Sequence, residues 1–462
     1  MNINATNSLI APTHISRAEA FRFWLKLGII SFGGPAGQIA IMHRELVETR
    51  RWISERRFLH ALNYCMVLPG PEAQQLATYL GWLMHGTVGG IIAGVLFILP
   101  SFFILLALSW IYVSFGDVPL IKGIFDGIKP AVAAIVLHAA WRIGGRTLKN
   151  GGLMAIALAA FIAIFFFDVP FPIIVLLAAL IGIIGARIYP RQFQTAASPL
   201  PTSTSVEAAH INDNTPSPPH AVFTRAGLWR VSIIGAVLWF GVFGLLVWHG
   251  GLTATLTQMA WFFTKAALLT FGGAYAVLPY VFQGAVETFQ WVTPAQMMDG
   301  LALGETTPGP LIMVIAFVAY LGGVANDVAG GNVLSGALAA TVVTFFTFLP
   351  SFIFIFVGAP LIESTRNNLR LTAPLNAITA AVVGVIVSLA LFFVWHAWWP
   401  EGFSNTGFSQ SVNWLAVVIT IGAAIALFRY QTNVIWVIVV SGMIGVVVKL
   451  LVLPWLRLLP IA

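Results

Sequence analysis

The sequence predicts an all-α polytopic membrane protein made of two inverted-topology repeats with broken or re-entrant helical hairpins. Three observations predict it: a composition too apolar for a soluble surface, motifs that recur along the chain, and arginines spread unevenly between the two copies. Of 462 residues, 59% are hydrophobic and 8% charged, against roughly 25% charged in a soluble domain. The mean hydropathy is +0.91. Runs such as GGIIAGVLFILPSFFILLALSWIYV and WLAVVITIGAAIALF are long enough, or nearly so, to cross about 30 Å of hydrocarbon.

The same composition excludes other classes. The start, MNINATNSLIAPTHISRAEAF, lacks the basic-then-apolar form of a cleaved signal, so targeting is expected to fall to the membrane helices. One cysteine, Cys65, allows neither an intrachain disulfide nor a cysteine metal cluster. The net charge of +7 comes from basic residues in short loops between apolar segments. That pattern signals topology and not nucleic-acid binding. With no Walker loop, HExxH, GxSxG or paired metal-ligand motif, neither ATP drive, an enzyme, a metal site nor a cofactor is expected.

In chain order, the first copy offers apolar stretches near 20–42, 58–84, 88–115, 127–141, 152–167 and 171–188. Residues 191–224 are rich in Pro, Ser and Thr and read as a disordered linker that cannot bury a core. An extra helix follows near 226–248, and a second copy of the apolar stretches after it. The expected division is a first repeat (1–190), the linker (191–224), a connecting transmembrane helix (225–254) and a second, inverted repeat (255–462).

The copies superpose by motif. A shift of 239 carries Lys26 onto Lys265, Phe32-Gly33-Gly34 onto Phe271-Gly272-Gly273, Glu48-Thr49 onto Glu287-Thr288, Trp52 onto Trp291, and Pro69-Gly70-Pro71 onto Pro308-Gly309-Pro310. After an insertion the shift becomes 250, and Leu99-Pro100-Ser101-Phe102 meets Leu349-Pro350-Ser351-Phe352. Ordered motifs at one shift indicate duplication. The loop HRELVETRRWISERR holds Arg44, Arg50, Arg51, Arg56 and Arg57, whereas its counterpart FQGAVETFQWVTPAQ holds no Lys or Arg. Under the positive-inside rule the first loop is cytoplasmic and the second is not, so the copies are read as inverted, an architecture common among secondary transporters. If every stretch simply spanned, Arg142, Arg146, Lys149, Arg187 and Arg230 would fall opposite the arginine-rich loop. Hairpins that dip in and turn back at FGG and PGP bring them all to the cytoplasmic side, leaving four true spans per half.

Broken backbone at membrane depth survives only beside protein or a water-filled cavity. A helix that starts there, at Pro35, Pro71 or Pro310, aims free N–H groups and a positive dipole end into that cavity. Four such tips would bind an anion; kinks and close helix packing are the plainer alternative. The second FGG is followed by Ala274, so that tip lacks the proline. Lys26 and Lys265 lie in apolar arms, where a lysine either serves a site or snorkels to the interface. Glu72 and Glu305 are intramembrane carboxylates that could carry a proton or pair with a basic neighbour. Thr306 and Thr307, with Gln74 and Gln75 at the other tip, are candidate oxyanion contacts. Arg44 is read mainly as a topology signal and also as a gatherer of anions at the cytoplasmic mouth.

Together, FWLKLGIISFGGPAGQIAIMHRELVETRRWISERRF, LPGP, the repeated LPSF, TFGGAYAVLPYV and LGETTPGPLIMV resemble the chromate ion transporter (CHR) family in its long two-domain form. The resemblance covers roughly 18–190 and 255–450. It implies a multi-pass inner-membrane carrier that exports chromate and gives chromate resistance. Coupling to the proton motive force or to sulfate exchange is implied with it. An acid follows PGP in the first copy and precedes it in the second, so the copies need not contribute the same groups. The expected partners are chromate, with sulfate as the second anion, and membrane lipid; a homodimer stays open, as do a sulfate carrier and an anion channel as rival functions.

Overall fold

The computed structural model describes residues 15–32, 34–188, 209–212, 218–365, 372–400 and 412–452. The first copy comprises α1 (Arg17–Ile30), α2 (Gly34–His43) running into a π-helical turn (Arg44–Thr49), α3 (Glu55–Val67), α4 (Glu72–Phe115), α5 (Pro119–Thr147), α6 (Gly151–Phe167) and α7 (Phe171–Ile188). The link is α8 (Arg225–Gly250). The second copy comprises α9 (Thr255–Leu269), α10 (Ala274–Phe282) with its own π-helical turn (Gln283–Thr288), α11 (Pro294–Thr306), α12 (Val314–Ala325), α13 (Asn332–Thr365), α14 (Thr372–Trp398), α15 (Trp414–Phe428) and α16 (Val434–Val447). The order of elements in one half follows the other, down to π turns placed 239 residues apart.

Side chains set the starts of these helices. Ser16, Ser54, Asn150, Thr224, Asn413 and Asn433 each accept a hydrogen bond from a first-turn N–H, and Thr293 forms a capping box with Gln296. Such caps satisfy donors that a helix cannot satisfy internally. Among the described residues, six helices are long and apolar enough to cross a membrane, namely Glu72–Phe115, Phe171–Ile188, Arg225–Gly250, Asn332–Glu363, Ala373–Trp398 and Val434–Leu451. The protein is a multi-pass, all-α membrane protein.

The arms beside the breaks are short. α1 has 14 residues, α3 13, α9 15, α11 13 and α12 12. At 1.5 Å per residue none exceeds about 23 Å, too short for about 30 Å of hydrocarbon. α4 resumes a full span only after a break at His85 and Gly86; α12 and α13 are separated there by a longer turn.

Two sequence expectations shift in detail. Pro71 and Pro310 stand one residue before their helices, as extended N-caps at ψ 101° and 129°. Each gives the next turn its carbonyl, to Gln75 N–H at 3.0 Å and Met313 N–H at 2.9 Å, which proline does as well as any residue. Within the stretch read as a linker, the described pieces dock on the first copy. Ser54 N–H donates to Ile211 O at 3.0 Å and Ile211 N–H donates to Trp52 O at 2.9 Å, with Ala209 and Ile211 buried. Two apolar side chains and a borrowed backbone pairing suffice here, without a core of its own.

The remaining helices interleave. α14 packs on α5, α6 and α7, while α5 packs on α14, α15 and α16. Small residues permit the contact: a Cβ on Gly127 would lie 2.1 Å from Ser441 O, close approach of the kind that drives helix association in lipid.

Candidate functional site

The breaks of the two halves cross. Gly70 N–H donates to Thr270 O at 2.7 Å, and Gly309 N–H donates to Ser31 O at 2.8 Å. A shift of 239 carries Ser31 to Thr270 and Gly70 to Gly309, so this is one contact made twice. Reciprocity of that kind marks a two-fold arrangement. The flanking hydroxyls match as well, Ser31 Oγ donating to Leu27 O at 2.6 Å and Thr270 Oγ1 to Ala266 O at 2.7 Å.

Glycine is required at this crossing. Gly70 and Gly309 have φ of +128° and +103°, a region that side chains rarely adopt. A Cβ on Gly309 would lie 2.7 Å from Ser101 Cβ, and one on Gly70 2.5 Å from Ser351 Oγ. The serine of each LPSF motif thus packs on the PGP glycine of the other half. Gln38 Nε2 donates to Gly309 O at 2.5 Å. Gln75 Nε2 donates to Pro69 O at 2.7 Å and to Ser351 Oγ at 3.4 Å. The Oε1 atoms of Gln74 and Gln75 are buried with no partner among the described residues. The two FGG tips also approach, since a Cβ on Gly273 would lie 3.9 Å from Pro35 Cγ.

The other predicted residues distribute as follows. Gly70, Pro71, Gly273, Pro308, Gly309 and Pro310 are buried at the crossing, while Gly34, Pro35, Pro69, Phe271 and Gly272 are half-buried beside it. Phe32 is exposed. Gly33 lies outside the described residues. Glu72 opens α4 and makes no hydrogen bond or ion pair with the described residues. Thr306 and Thr307 donate their hydroxyl protons back to carbonyls of α11, leaving none for an oxyanion in this state. Lys26 is exposed on α1, Lys265 is half-buried, and Arg44 is exposed. The Lys265 Nζ stands 5.6 Å from the Trp261 ring centre, and no contact ties either lysine to the breaks.

Two polar clefts flank the contact between α5 and α11. The larger has about 600 Å³ and is lined by His138 and Arg142 of α5, Tyr275, Glu305 and the turn Gln431–Asn433. The Tyr275 hydroxyl donates to the Glu305 carboxylate. The second has about 430 Å³ and is lined by Tyr112, Lys122, Asp126, Lys129, Gln296 and Asp299. Along α5, Arg142 stands about 20 Å beyond Lys129. Along α11, Asp299 and Glu305 are about 9 Å apart, so a thin septum divides the clefts.

The chemistry of the clefts differs. Lys129 Nζ is 3.5 Å from Asp299 Oδ2 and 3.8 Å from Asp126 Oδ1, and Tyr112 Oη donates to Asp299 Oδ2 at 2.8 Å. That cation is neutralised. Arg142 makes no hydrogen bond or ion pair with the described residues. Asp299, Arg142 and the buried pair Arg57–Glu363 were not singled out as site residues from the sequence. An acid inside the apolar run MMDGLALGE is the signal that would have found Asp299.

The chain matches the family model described as Chromate transporter over residues 18–183 and 257–446. It is 33% identical over 453 residues to the chromate transport protein of Pseudomonas aeruginosa, covering 96% of this chain and 94% of that one. It is 29% identical over 387 residues to the chromate transport protein of Cupriavidus metallidurans, covering 82% and 83%. An uncharacterised transporter of Methanocaldococcus jannaschii is 26% identical over 379 residues, covering 82% and 84%. No solved structure matches.

Proposed function

The chain belongs to the chromate transporter family, and from that premise we propose that it is a secondary active carrier exporting chromate from the cytoplasm by alternating access, giving chromate resistance. The observation that carries this reading is the doubled hydrogen bond at the crossing, Gly70 to Thr270 and Gly309 to Ser31. Two halves that lock through one symmetric contact can rock about it. The crossing is buried, which favours a carrier over an open channel.

Helix directions support inverted copies. Thr420 Oγ1 donates to Pro130 O at 3.1 Å and the Phe428 ring lies 5.2 Å from that of His138, so α15 runs alongside α5 in the same direction. Asn413 N–H donates to Trp398 O at 2.8 Å, so α15 starts where α14 ends. A spanning α14 then runs opposite to α5, its counterpart. With the arginine-rich loop in the cytoplasm, the Arg142 cleft opens inward and the Lys129 cleft outward. The dianion gathers at the inner mouth with help from Lys26 and Arg44, passes between the FGG and PGP tips, and leaves as the halves rock. An inside-negative potential favours that export by about 2.3 kcal/mol per charge per 100 mV, whereas exchange against sulfate would cancel the charge.

Proteoliposomes loaded with chromate or sulfate test this. The expected result is saturable chromate efflux, accelerated when the loaded side is negative. Flux that rises linearly without saturation would mark a channel, and preference for sulfate would mark a sulfate carrier.

A further inference from the structure

Arg142 stands in a cleft of about 600 Å³ with no hydrogen bond or ion pair to the described residues. A half-buried guanidinium with no partner among the described residues is costly unless it has a ligand or water to face. The cleft floor belongs to the breaks of the second copy: Tyr275 follows Gly273 by two residues and Glu305 precedes Pro308 by three. Its rim carries Thr432, Asn433 and the start of α16 at Val434, a helix end that favours negative charge.

The duplicated positions isolate this chemistry. The counterparts of His138, Arg142, Tyr275 and Glu305 are Ser388, Phe392, Ala36 and Met66. Ser388 and Phe392 line a cleft of about 440 Å³ whose charged residues are the acids Asp168 and Glu287, with no Lys or Arg. The repeat therefore folds without these charges, and their presence on one side alone calls for a role.

We propose that the Arg142 cleft is a binding site for a tetrahedral oxyanion, with Arg142 as its countercharge and Glu305 competing with the anion for it. The proposal rests on the carrier reading and places the cargo's first stop. A charged Glu305 occupies the field of Arg142 and repels a dianion; a proton on Glu305 removes that repulsion and leaves the guanidinium to the anion, which it can grip bidentately. The titratable groups facing Glu305 are Tyr275 from α10 and His138 and Arg142 from α5, while the turn before α16 offers only the neutral Gln431, Thr432 and Asn433. His138 adds a second positive charge when protonated, so it acts in the same direction as Glu305.

Equilibrium binding of radiolabelled sulfate to the purified full chain in detergent tests it, because sulfate keeps both charges from mildly acidic to mildly alkaline buffer. Wild type is expected to bind more tightly in acid. Arg142→Gln is expected to lose about tenfold or more in affinity, and Arg142→Lys less. Glu305→Gln is expected to bind tightly in alkaline buffer and to lose most of the pH response, a gain that misfolding cannot produce. His138→Gln separates any remaining response. Unchanged affinity in a folded Arg142→Gln overturns the site and leaves the carrier reading standing. A Glu305→Gln that binds no better than wild type in alkaline buffer overturns the competition. Wild type that binds neither sulfate nor chromate overturns the site and the carrier reading together.

Discussion

Arg57 and Glu363 hold the two halves together through one buried ion pair. Their side chains are 7% and 3% exposed, with Nη1 and Oε2 2.5 Å apart, and Tyr79 Oη donates to Glu363 Oε1 at 2.6 Å. Removing one member leaves the other charge buried without this counter-ion, at a cost of about 3–5 kcal/mol. Arg57→Ala or Glu363→Gln is therefore expected to lower the thermal unfolding midpoint in detergent sharply. Arg57→Met combined with Glu363→Met is expected to recover most of the loss, since a buried pair is worth little more than well-packed apolar groups. Equal instability in the double variant would show that other contacts dominate. The sequence could not reveal this pair. Arg57 sits among Arg44, Arg50, Arg51 and Arg56, and an arginine in a basic loop reads the same whether it points to water or into the protein. The FGG and PGP glycines were legible because positive φ and proline punctuation leave few other residues to choose from.

The arms between the breaks set how far each hairpin reaches. α3 and α11 have 13 residues each, so a hairpin built from each can reach only part-way across and return. Inversion, as proposed, requires the return turn of the first hairpin on the cytoplasmic side and that of the second on the opposite side. In a Cys65→Ser background, Thr87→Cys beside the first turn is expected to label from the cytoplasm. Ala325→Cys at the end of α12 is expected to label from outside, both with a membrane-impermeant thiol reagent on oriented vesicles. Labelling of both from one side would contradict inversion. The breaks themselves were readable to within a residue or two. The cap role of Pro71 and Pro310 was not, because fixing φ suits a proline both before a helix and at its first turn. The docking of Ile211 on Trp52 and Ser54 was hidden for a different reason: composition reports whether a segment can make a core, not whether it borrows a neighbour's edge.

Across the whole molecule, two polar clefts differ in charge: Arg142 has no ion pair among the described residues, whereas Lys129 is held by Asp126 and Asp299. The repeated order of elements was legible in the motif order. The clefts were not, because Arg142, Tyr275 and Glu305 come from three distant stretches that only packing brings together. Passage of the anion through the crossing, as proposed, requires the crossing to open. Gln75 Nε2 and Ser351 Oγ face each other there at 3.4 Å. In the Cys65→Ser background, Gln75→Cys and Ser351→Cys would be bridged with a short, reducible bis-methanethiosulfonate and chromate flux measured in proteoliposomes. The account predicts that bridging stops the flux and that reduction restores it; full flux through completely bridged protein would contradict it.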